Sequence, residues 1–246
     1  MCKYWVSPLG FAFVFSLTFT ILAEEPAARD VLQRAIAAMG GENSVNSMKA
    51  PMMWMERGTF YGMGDAIPFV AQHASKWPDW SRNEIEGVFT VTVSGQQAWL
   101  TTADGSTLLD GVQLKEVQEQ SRLAWAERLF PLTDRAYTLQ VVKGIEINGR
   151  STIGLKAQHA SHRDITFYFD EQTYLVAKVE TMVVSPQHGS EPVLSEAFYS
   201  DHKSFGGPLL PAKVKLLYDH EVFLESETID YKMRATLDPL QFVAPQ

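Results

Sequence analysis

The chain has 246 residues, of which 21 are lysine or arginine and 29 are aspartate or glutamate, so its formal net charge is −8. An acidic surface of this kind disfavours nucleic acids and anionic membrane surfaces as partners. The only cysteine is Cys2, so the remainder of the chain can form no disulfide within itself and has no thiol for catalysis.

The first 23 residues are typical of a secretory signal peptide. Lys3 precedes an apolar stretch without charges over residues 8–23, and the acidic sequence EEP follows at once. The stretch is short for a membrane span, so we expect cleavage near Ala23 and a periplasmic or secreted bacterial protein. An uncleaved N-terminal membrane anchor is the alternative. Without Lys3, residues 24–246 carry 20 basic and 29 acidic side chains, a net charge of −9, and their length fits a single domain.

A short amphipathic helix is predicted at the start of this domain. Apolar residues recur at helical spacing from Val31 to Met39, and Gly40 and Gly41 follow where a left-handed cap requires glycine. The sequence ENSVNSMK predicts one further helical turn, whose Val45 and Met48 would lie beneath a sheet.

Five or so strands are predicted next. The segments 52–62 and 67–77 flank a glycine-containing turn and predict a long hairpin, and Pro78-Asp79 turns the chain into a further strand. The sequences VFTVTVSG and QAWLTTADG predict the next pair, because apolar residues alternate with threonines in the first of them.

A helix is predicted to interrupt the strands over residues 112–132. The segment is rich in glutamate, glutamine, lysine, leucine and alanine, which are good helix formers, and Pro131 should end it. Its second half, from Leu123 to Phe130, is strongly apolar, so we expect that end to be buried.

About six more strands are predicted in the remainder of the chain. Asn148-Gly149 indicates a tight hairpin, and Ile165, Phe167 and Phe169 should share one face of another. The order of elements predicts an α+β fold that is mostly β, in which one curved antiparallel sheet forms an incomplete barrel and helices cover its concave face.

Several segments resemble the bacterial LolA/LolB-like outer-membrane lipoprotein-carrier superfamily when they are taken in order. They are RAIAAMGGENSVNSM before the first strand, FYFDEQTYLVAKVE in the middle, and FGGPLLPAKVKL followed by SETIDYKMRATLDPLQFVAP at the end. The resemblance implies an incomplete barrel whose apolar interior holds acyl chains. It also implies a lid-controlling arginine on an early strand, a position that Arg57 could occupy.

Aromatic side chains on the predicted strands and on the middle helix are candidates for a ligand-binding interior. A wide curved sheet with few helices has more concave surface than they can cover, which favours a residual apolar cavity. Core packing alone would also explain these residues. With Arg57, the candidate ligand-binding residues are Trp54, Phe69, Phe89, Trp99, Trp125, Phe130, Phe167 and Phe169.

These patterns favour a non-enzymatic carrier or sensor that binds a lipid or lipoprotein acyl chain, acts as a monomer and needs no cofactor. An envelope protein–protein interaction module without a small ligand is the alternative. A hydrolase is a third hypothesis, although the sequence has no nucleophile elbow, zinc-protease motif or phosphate-binding loop. His159 and His162, with Asp164, form a possible but incomplete metal-binding pattern, and we expect no metal site.

Overall fold

The computed structural model describes residues 24–185, 188–189 and 191–243. The predicted signal peptide, residues 1–23, lies outside the described residues. None of the helices in the described ranges is both long enough and apolar enough to cross a bilayer.

Three α-helices and fourteen strands make up the described fold. The helices are α1 (Glu24–Ala38), α2 (Gly41–Ser47) and α3 (Gly111–Ala126). The first six strands are β1 (Met52–Phe60), β2 (Ile67–Lys76), β3 (Trp80–Ile85), β4 (Phe89–Ser94), β5 (Gln97–Thr102) and β6 (Gly105–Leu108). The others are β7 (Tyr137–Val142), β8 (Glu146–Ile147), β9 (Arg150–His159), β10 (His162–Asp170), β11 (Val176–Val184), β12 (Pro192–Ser204), β13 (Leu209–Tyr218) and β14 (Glu221–Met233).

All fourteen strands belong to one antiparallel sheet that does not close. Its order is β6-β5-β4-β3-β2-β1-β14-β13-β12-β11-β10-β9-β7, and β8 pairs with β9 beside this path. The first and last strands pair from Met52 opposite Met233 to Phe60 opposite Leu224, which joins the two halves of the chain. Strands β6 and β7 form the two edges and do not pair with each other. The mostly β, incomplete barrel predicted from the sequence is therefore confirmed.

The start of the chain folds as its glycines predict. Helix α1 ends at Ala38, and Gly40 and Gly41 adopt positive φ angles of 109° and 83°, a region that glycine enters without steric cost. The chain then turns into α2, and Val45 and Met48 are fully buried, as expected.

The middle helix is shorter than predicted. We expected it to end near Pro131, but α3 ends at Ala126 and a separate 3₁₀ helix occupies residues 130–133. Leu129 has a φ of 63° and a ψ of −38°, a backbone conformation that cannot continue a right-handed α-helix. Pro131 lies inside the following 3₁₀ helix, and because it has no backbone N–H it could not have continued the hydrogen bonds of α3.

The main core lies between one face of the sheet, here called the inner face, and the helices. Leu32 and Ile36 of α1 pack with Leu155 of β9 and with Phe167 and Phe169 of β10 in one buried cluster. The predicted shared face of Ile165, Phe167 and Phe169 is confirmed, because all three are buried in this cluster. A smaller cluster, formed by Val93, Ala98, Leu109, Leu114 and Val117, joins α3 to β4 and β5.

We expect the packing of α1 to contribute strongly to stability. Replacing Leu32, which is fully buried, with alanine should lower the free energy of unfolding by about 2–5 kcal/mol, because it removes apolar contacts and leaves a cavity. Urea denaturation of the purified protein measures this change. Gln33→Ala, at the neighbouring exposed position, is the control and should change it by about 0.5 kcal/mol or less. Equal effects of the two substitutions would contradict the packing of α1 on the sheet.

Candidate functional site

Two clefts lie between α3 and the inner face of the sheet. Their volumes are 210 and 360 Å³, close to the lower end of the range for small-molecule sites. Trp54 and Glu56 of β1 and Ala124 of α3 line both of them, so the clefts meet at this point.

The 210 Å³ cleft extends toward β10–β13 and is largely apolar. Its wall contains aliphatic and aromatic side chains from four regions of the chain, namely Met39, Trp54, Phe167, Leu175, Val176, Val179, Phe205, Leu209, Leu210 and Val214. The polar groups on this wall are few and come mainly from Glu127, Arg128, Tyr199, His202 and Tyr231. Such a surface suits an aliphatic ligand that carries a small polar group.

The 360 Å³ cleft extends toward β3 and β4. Phe89, Val91 and Val93 line it from alternate positions of β4, as residues on one face of a strand must. Trp77 contributes an aromatic wall, and Ser81 of β3 lies opposite Ser121 of α3 with their hydroxyl oxygens 3.4 Å apart.

Three of the nine candidate residues line these clefts. Trp54 lines both, Phe167 lines the smaller and Phe89 the larger. The structure thus brings together aromatic residues from β1, β4 and β10 that lie far apart in the sequence.

Five other aromatic candidates lie outside the cleft walls. Phe169 is fully buried and stacks on Phe167 with ring centroids 6.0 Å apart. Trp125 packs edge-to-face on Phe130 at 4.6 Å. Phe69 on β2 is paired with Gly58 on β1, and its ring lies over this glycine. A Cβ atom added at Gly58 would be 2.9 Å from the Phe69 ring. Trp99 lies between Ala98 and Leu100 on β5, and both of these residues belong to the smaller cluster on the inner face. Because side chains alternate along a strand, Trp99 points to the opposite face of the sheet.

Arg57 is the remaining candidate, and its side chain does not reach either cleft. It is 65% exposed and pairs with Glu227 on β14 at 3.3 Å. An arginine does line the smaller cleft, but it is Arg128, which follows α3.

Arg128 is held between aromatic rings and a tyrosine. Its guanidinium carbon lies 5.4 Å from the ring centroid of Trp77 and 5.9 Å from that of Trp54, within the range of cation–π attraction. It also donates a hydrogen bond of 3.1 Å to the hydroxyl of Tyr231. These contacts fix the end of α3 to β1 and β14.

The neighbouring Glu127 makes a second polar connection between α3 and the sheet. Its carboxylate accepts a hydrogen bond of 2.6 Å from the hydroxyl of Tyr199 on β12. Burial raises the pKa of the Glu127 carboxyl, while the Tyr199 hydroxyl and Arg128 oppose the rise. Sequence reasoning missed Glu127 and Arg128. The signal was the presence of two adjacent charges inside the apolar stretch from Leu123 to Phe130.

A third polar group lies beside Trp54. The imidazole of His73 stacks on Trp54 at 4.5 Å, and its Nε2 lies 3.1 Å from a carboxylate oxygen of Glu56. The other oxygen of Glu56 accepts a hydrogen bond from Ser226 at 3.1 Å. Both carboxylate oxygens of Glu56 are therefore paired, one with His73 and one with Ser226, where this residue lines the clefts.

The middle of α3 is fixed to β10 by a polar clasp of five residues, Glu116, Glu119, Arg122, His162 and Arg163. The Glu116 carboxylate accepts from the Arg163 guanidinium at 2.6 Å, and Glu119 accepts from the Arg163 backbone amide at 3.1 Å. Arg122 lies 3.2 Å from His162 Nε2. Because arginine only donates, Nε2 must accept and the proton of the neutral ring is on Nδ1.

One histidine of the His-x-x-His pattern, His162, belongs to this clasp, and His159 lies beside it. The rings of His159 and His162 stack at 4.3 Å, and Asp164 instead binds Lys156 at 2.8 Å. Within the described residues, no three histidine, cysteine, aspartate or glutamate side chains are grouped so that they could hold a metal ion.

No protein-family model and no curated protein sequence matches the chain. Solved structures, in contrast, match along nearly its whole length. A LolA superfamily protein from Nitrosomonas europaea has a TM-score of 0.59 at 12% identity, covering 88% of this chain and 97% of its own. The chain has the fold of a LolA superfamily protein.

Two further structures agree. A DUF1329 family protein from Desulfovibrio piger has a TM-score of 0.59 at 10% identity, with 88% of this chain and 97% of that chain covered. A putative outer membrane lipoprotein-sorting protein domain from Vibrio parahaemolyticus has a TM-score of 0.55 at 11% identity, with 89% and 97% covered. The LolA-like resemblance indicated by the sequence motifs is therefore confirmed for the fold.

We expect His162 to make the protein less stable in mild acid. Burial, Arg122 and His159 lower the pKa of His162, against a smaller opposing effect of Glu119, from its ordinary value of 6.5. As the pH falls, His162 therefore becomes protonated at a higher pH in the unfolded chain than in the folded protein. This preferential protonation of the unfolded state lowers the free energy of unfolding as the pH decreases below about 6.5. His162→Gln should reduce this fall, as measured by urea denaturation at pH 7.5 and 5.5. His188→Gln, at an exposed position, is the control, and an unchanged slope in His162→Gln would contradict the assignment.

Tyr199→Phe should lower the free energy of unfolding by about 1–3 kcal/mol, because it leaves the Glu127 carboxylate without its hydrogen-bond donor. Tyr174→Phe removes a tyrosine hydroxyl bonded to Arg34 at an exposed site and should cost about 0.5 kcal/mol or less. Thermal or urea denaturation compares the two variants. A Tyr199→Phe effect no larger than that of the control would show that the bond does not stabilise α3.

Proposed function

We propose that the protein is an exported, non-enzymatic carrier or sensor that binds a lipid or lipoprotein acyl chain between α3 and the sheet. The observation that supports this proposal is the pair of adjoining clefts, of which the smaller is largely apolar, beneath a helix that polar contacts attach to the sheet. The structural neighbour from Vibrio parahaemolyticus is described as a lipoprotein-sorting domain, which is consistent with this role.

The energetics of burial favour such a ligand. Each methylene transferred from water to an apolar surface contributes about 0.8 kcal/mol, so a chain of several carbons gains enough to bind even in an open cleft. The aromatic and aliphatic walls provide this surface, and Glu127 and Arg128 add two charged groups to the wall of the smaller cleft.

The predicted signal peptide supports a periplasmic or secreted location, where acyl chains have to cross an aqueous space. A protein of this kind would act as a monomer that shields one chain at a time. Residues 24–246 are the unit for which we propose this activity, and Trp54, Phe89 and Phe167 are the predicted ligand-binding residues that line its clefts.

Native mass spectrometry of the protein purified from the periplasm without detergent tests this proposal. A co-purifying lipid or acylated peptide, identified after organic extraction, would support it and define the ligand class. If the purified protein contains no ligand and does not bind fluorescent fatty-acid probes, the alternative of a protein–protein interaction module is favoured.

Filling the shared wall of the clefts should reduce acyl binding. Ala124 lines both clefts, so Ala124→Phe places a large ring in the space that the ligand would occupy, and we expect the affinity for a fluorescent fatty-acid probe to fall about tenfold or more. Lys115→Phe adds the same side chain at an exposed position of α3 and should leave the affinity unchanged. Equal affinities of the two variants would place the probe outside the clefts.

A further inference from the structure

Arg128 places a positive charge in the wall of the smaller, largely apolar cleft. Its guanidinium lies among other residues of this wall, because Nη1 donates to the Tyr231 hydroxyl at 3.1 Å and the guanidinium carbon is 5.9 Å from the ring centroid of Trp54. A charged group beside an apolar surface costs free energy unless another charge or a hydrogen bond compensates it. The partners of Arg128 therefore indicate what this part of the cleft can bind.

Most of the hydrogen-bonding capacity of Arg128 is unused. An arginine has five N–H groups, and the contacts of Arg128 with Tyr231 and with the Met48 sulfur both come from Nη1. Nε and Nη2 have no hydrogen-bond partner within the described residues, yet both keep accessible surface, unlike the unpartnered Nε2 of His202, which is fully buried. Together they form one edge of the planar guanidinium, and such an edge binds an oxyanion through two parallel hydrogen bonds.

The charge of Arg128 also has no direct counterion. Within the residues that the structure describes, its guanidinium contacts a tyrosine, a methionine and two indole rings but pairs with no carboxylate. Arg57 and Arg163, in contrast, each form an ion pair. Glu127, the neighbour in the sequence, accepts from Tyr199 instead. A negatively charged group that enters the cleft therefore finds a cation with free donors.

Two carboxylates line the same cleft, and both have hydrogen-bond partners of their own. Glu127 has Tyr199, and Glu56 lies between His73 and Ser226. Burial raises the pKa of the Glu127 carboxyl, which makes it easier for this group to take up a proton when a negative charge binds nearby. These features reduce the repulsion that an anion meets beside Arg128.

From these observations we infer that Arg128 binds the negatively charged end of an amphiphilic ligand, a carboxylate or a phosphate on an aliphatic chain. The chain itself would lie against apolar residues of the same cleft such as Val176 and Leu210. This inference rests on the proposed acyl-binding function and specifies its ligand as an anionic lipid. The pairing of a guanidinium with an oxyanion is bidentate and charge-assisted, so the site discriminates against chains that end in a neutral ester.

Four ten-carbon probes of different charge test this inference. Isothermal titration calorimetry measures the binding of decanoate, decyl phosphate, methyl decanoate and decyltrimethylammonium, each below its micelle concentration. The unmodified protein should prefer at least one of the two anions over methyl decanoate by about tenfold or more, as expected for hydrogen bonds between charged groups. A preference for decanoate alone identifies a fatty-acid carboxylate as the bound group, and one for decyl phosphate alone identifies a phosphate.

Variants of Arg128 locate the anion. Arg128→Gln should bind the anions and methyl decanoate about equally, and an unchanged affinity for methyl decanoate shows that its cleft is intact. Arg128→Lys, which keeps the charge but not the planar fork, should retain part of the preference. Arg57→Gln, at an arginine that pairs with Glu227 and lines neither cleft, should behave as the unmodified protein.

A measurement on the unmodified protein covers the case in which Arg128→Gln does not fold. The arginine Nε–H nuclear magnetic resonance signal that is missing in Arg128→Lys should shift when the preferred anion is added and not when methyl decanoate is added. An unshifted signal, a preference that persists in Arg128→Gln, or binding of the anions no tighter than that of the other two probes would overturn the role of Arg128 and leave acyl binding intact. Failure of all four probes to bind would overturn the proposed function.

Discussion

The width of the sheet is the constraint on which the rest of the structure depends. Fourteen strands form one antiparallel sheet whose edges, β6 and β7, do not meet, so the sheet curves without sealing its interior. Helix α1 covers the part of the inner face near β7 and β9, and α3 contacts β10 on one side and β5 on the other. The helices of the described residues leave part of this wide surface uncovered, and the two clefts lie there.

Polar contacts determine how α3 covers this space. Protein interiors pack to high density, so a helix held only by apolar side chains would lie closer to the sheet and leave no voids beneath it. Here Glu116, Ser121, Glu127 and Arg128 reach partners on β10, β3, β12 and β14, and buried polar groups have to keep such partners. We infer that these contacts hold α3 at a distance from the apolar inner face. A cleft that combines apolar walls with polar groups from the helix suits an amphipathic ligand.

Much of the fold could be predicted from local patterns. Gly40 and Gly41 end α1, and Asn148-Gly149 forms the tight turn between β8 and β9, with φ angles of 51° and 75°. Alternation correctly identified the buried face of β10. The strand β6 was not predicted, because GSTL carries no alternating pattern, and α3 ends early because Leu129 leaves the helical conformation before Pro131. Local sequence patterns do not predict the structure of these two segments, because their conformation depends on the residues that they pack against in the folded protein.

By itself, the sequence determined the β-rich class, the antiparallel hairpins and the helix that interrupts them. These features follow from side-chain periodicity and turn chemistry, which act over a few residues. Only the tertiary structure decided which aromatic side chains share a cleft, that Arg128 and not Arg57 faces it, and that Tyr199 and His202 line the same cleft. The site is assembled across strands far apart in the chain, and strand register and bulges, which arise from pairing between strands, determine where each side chain points.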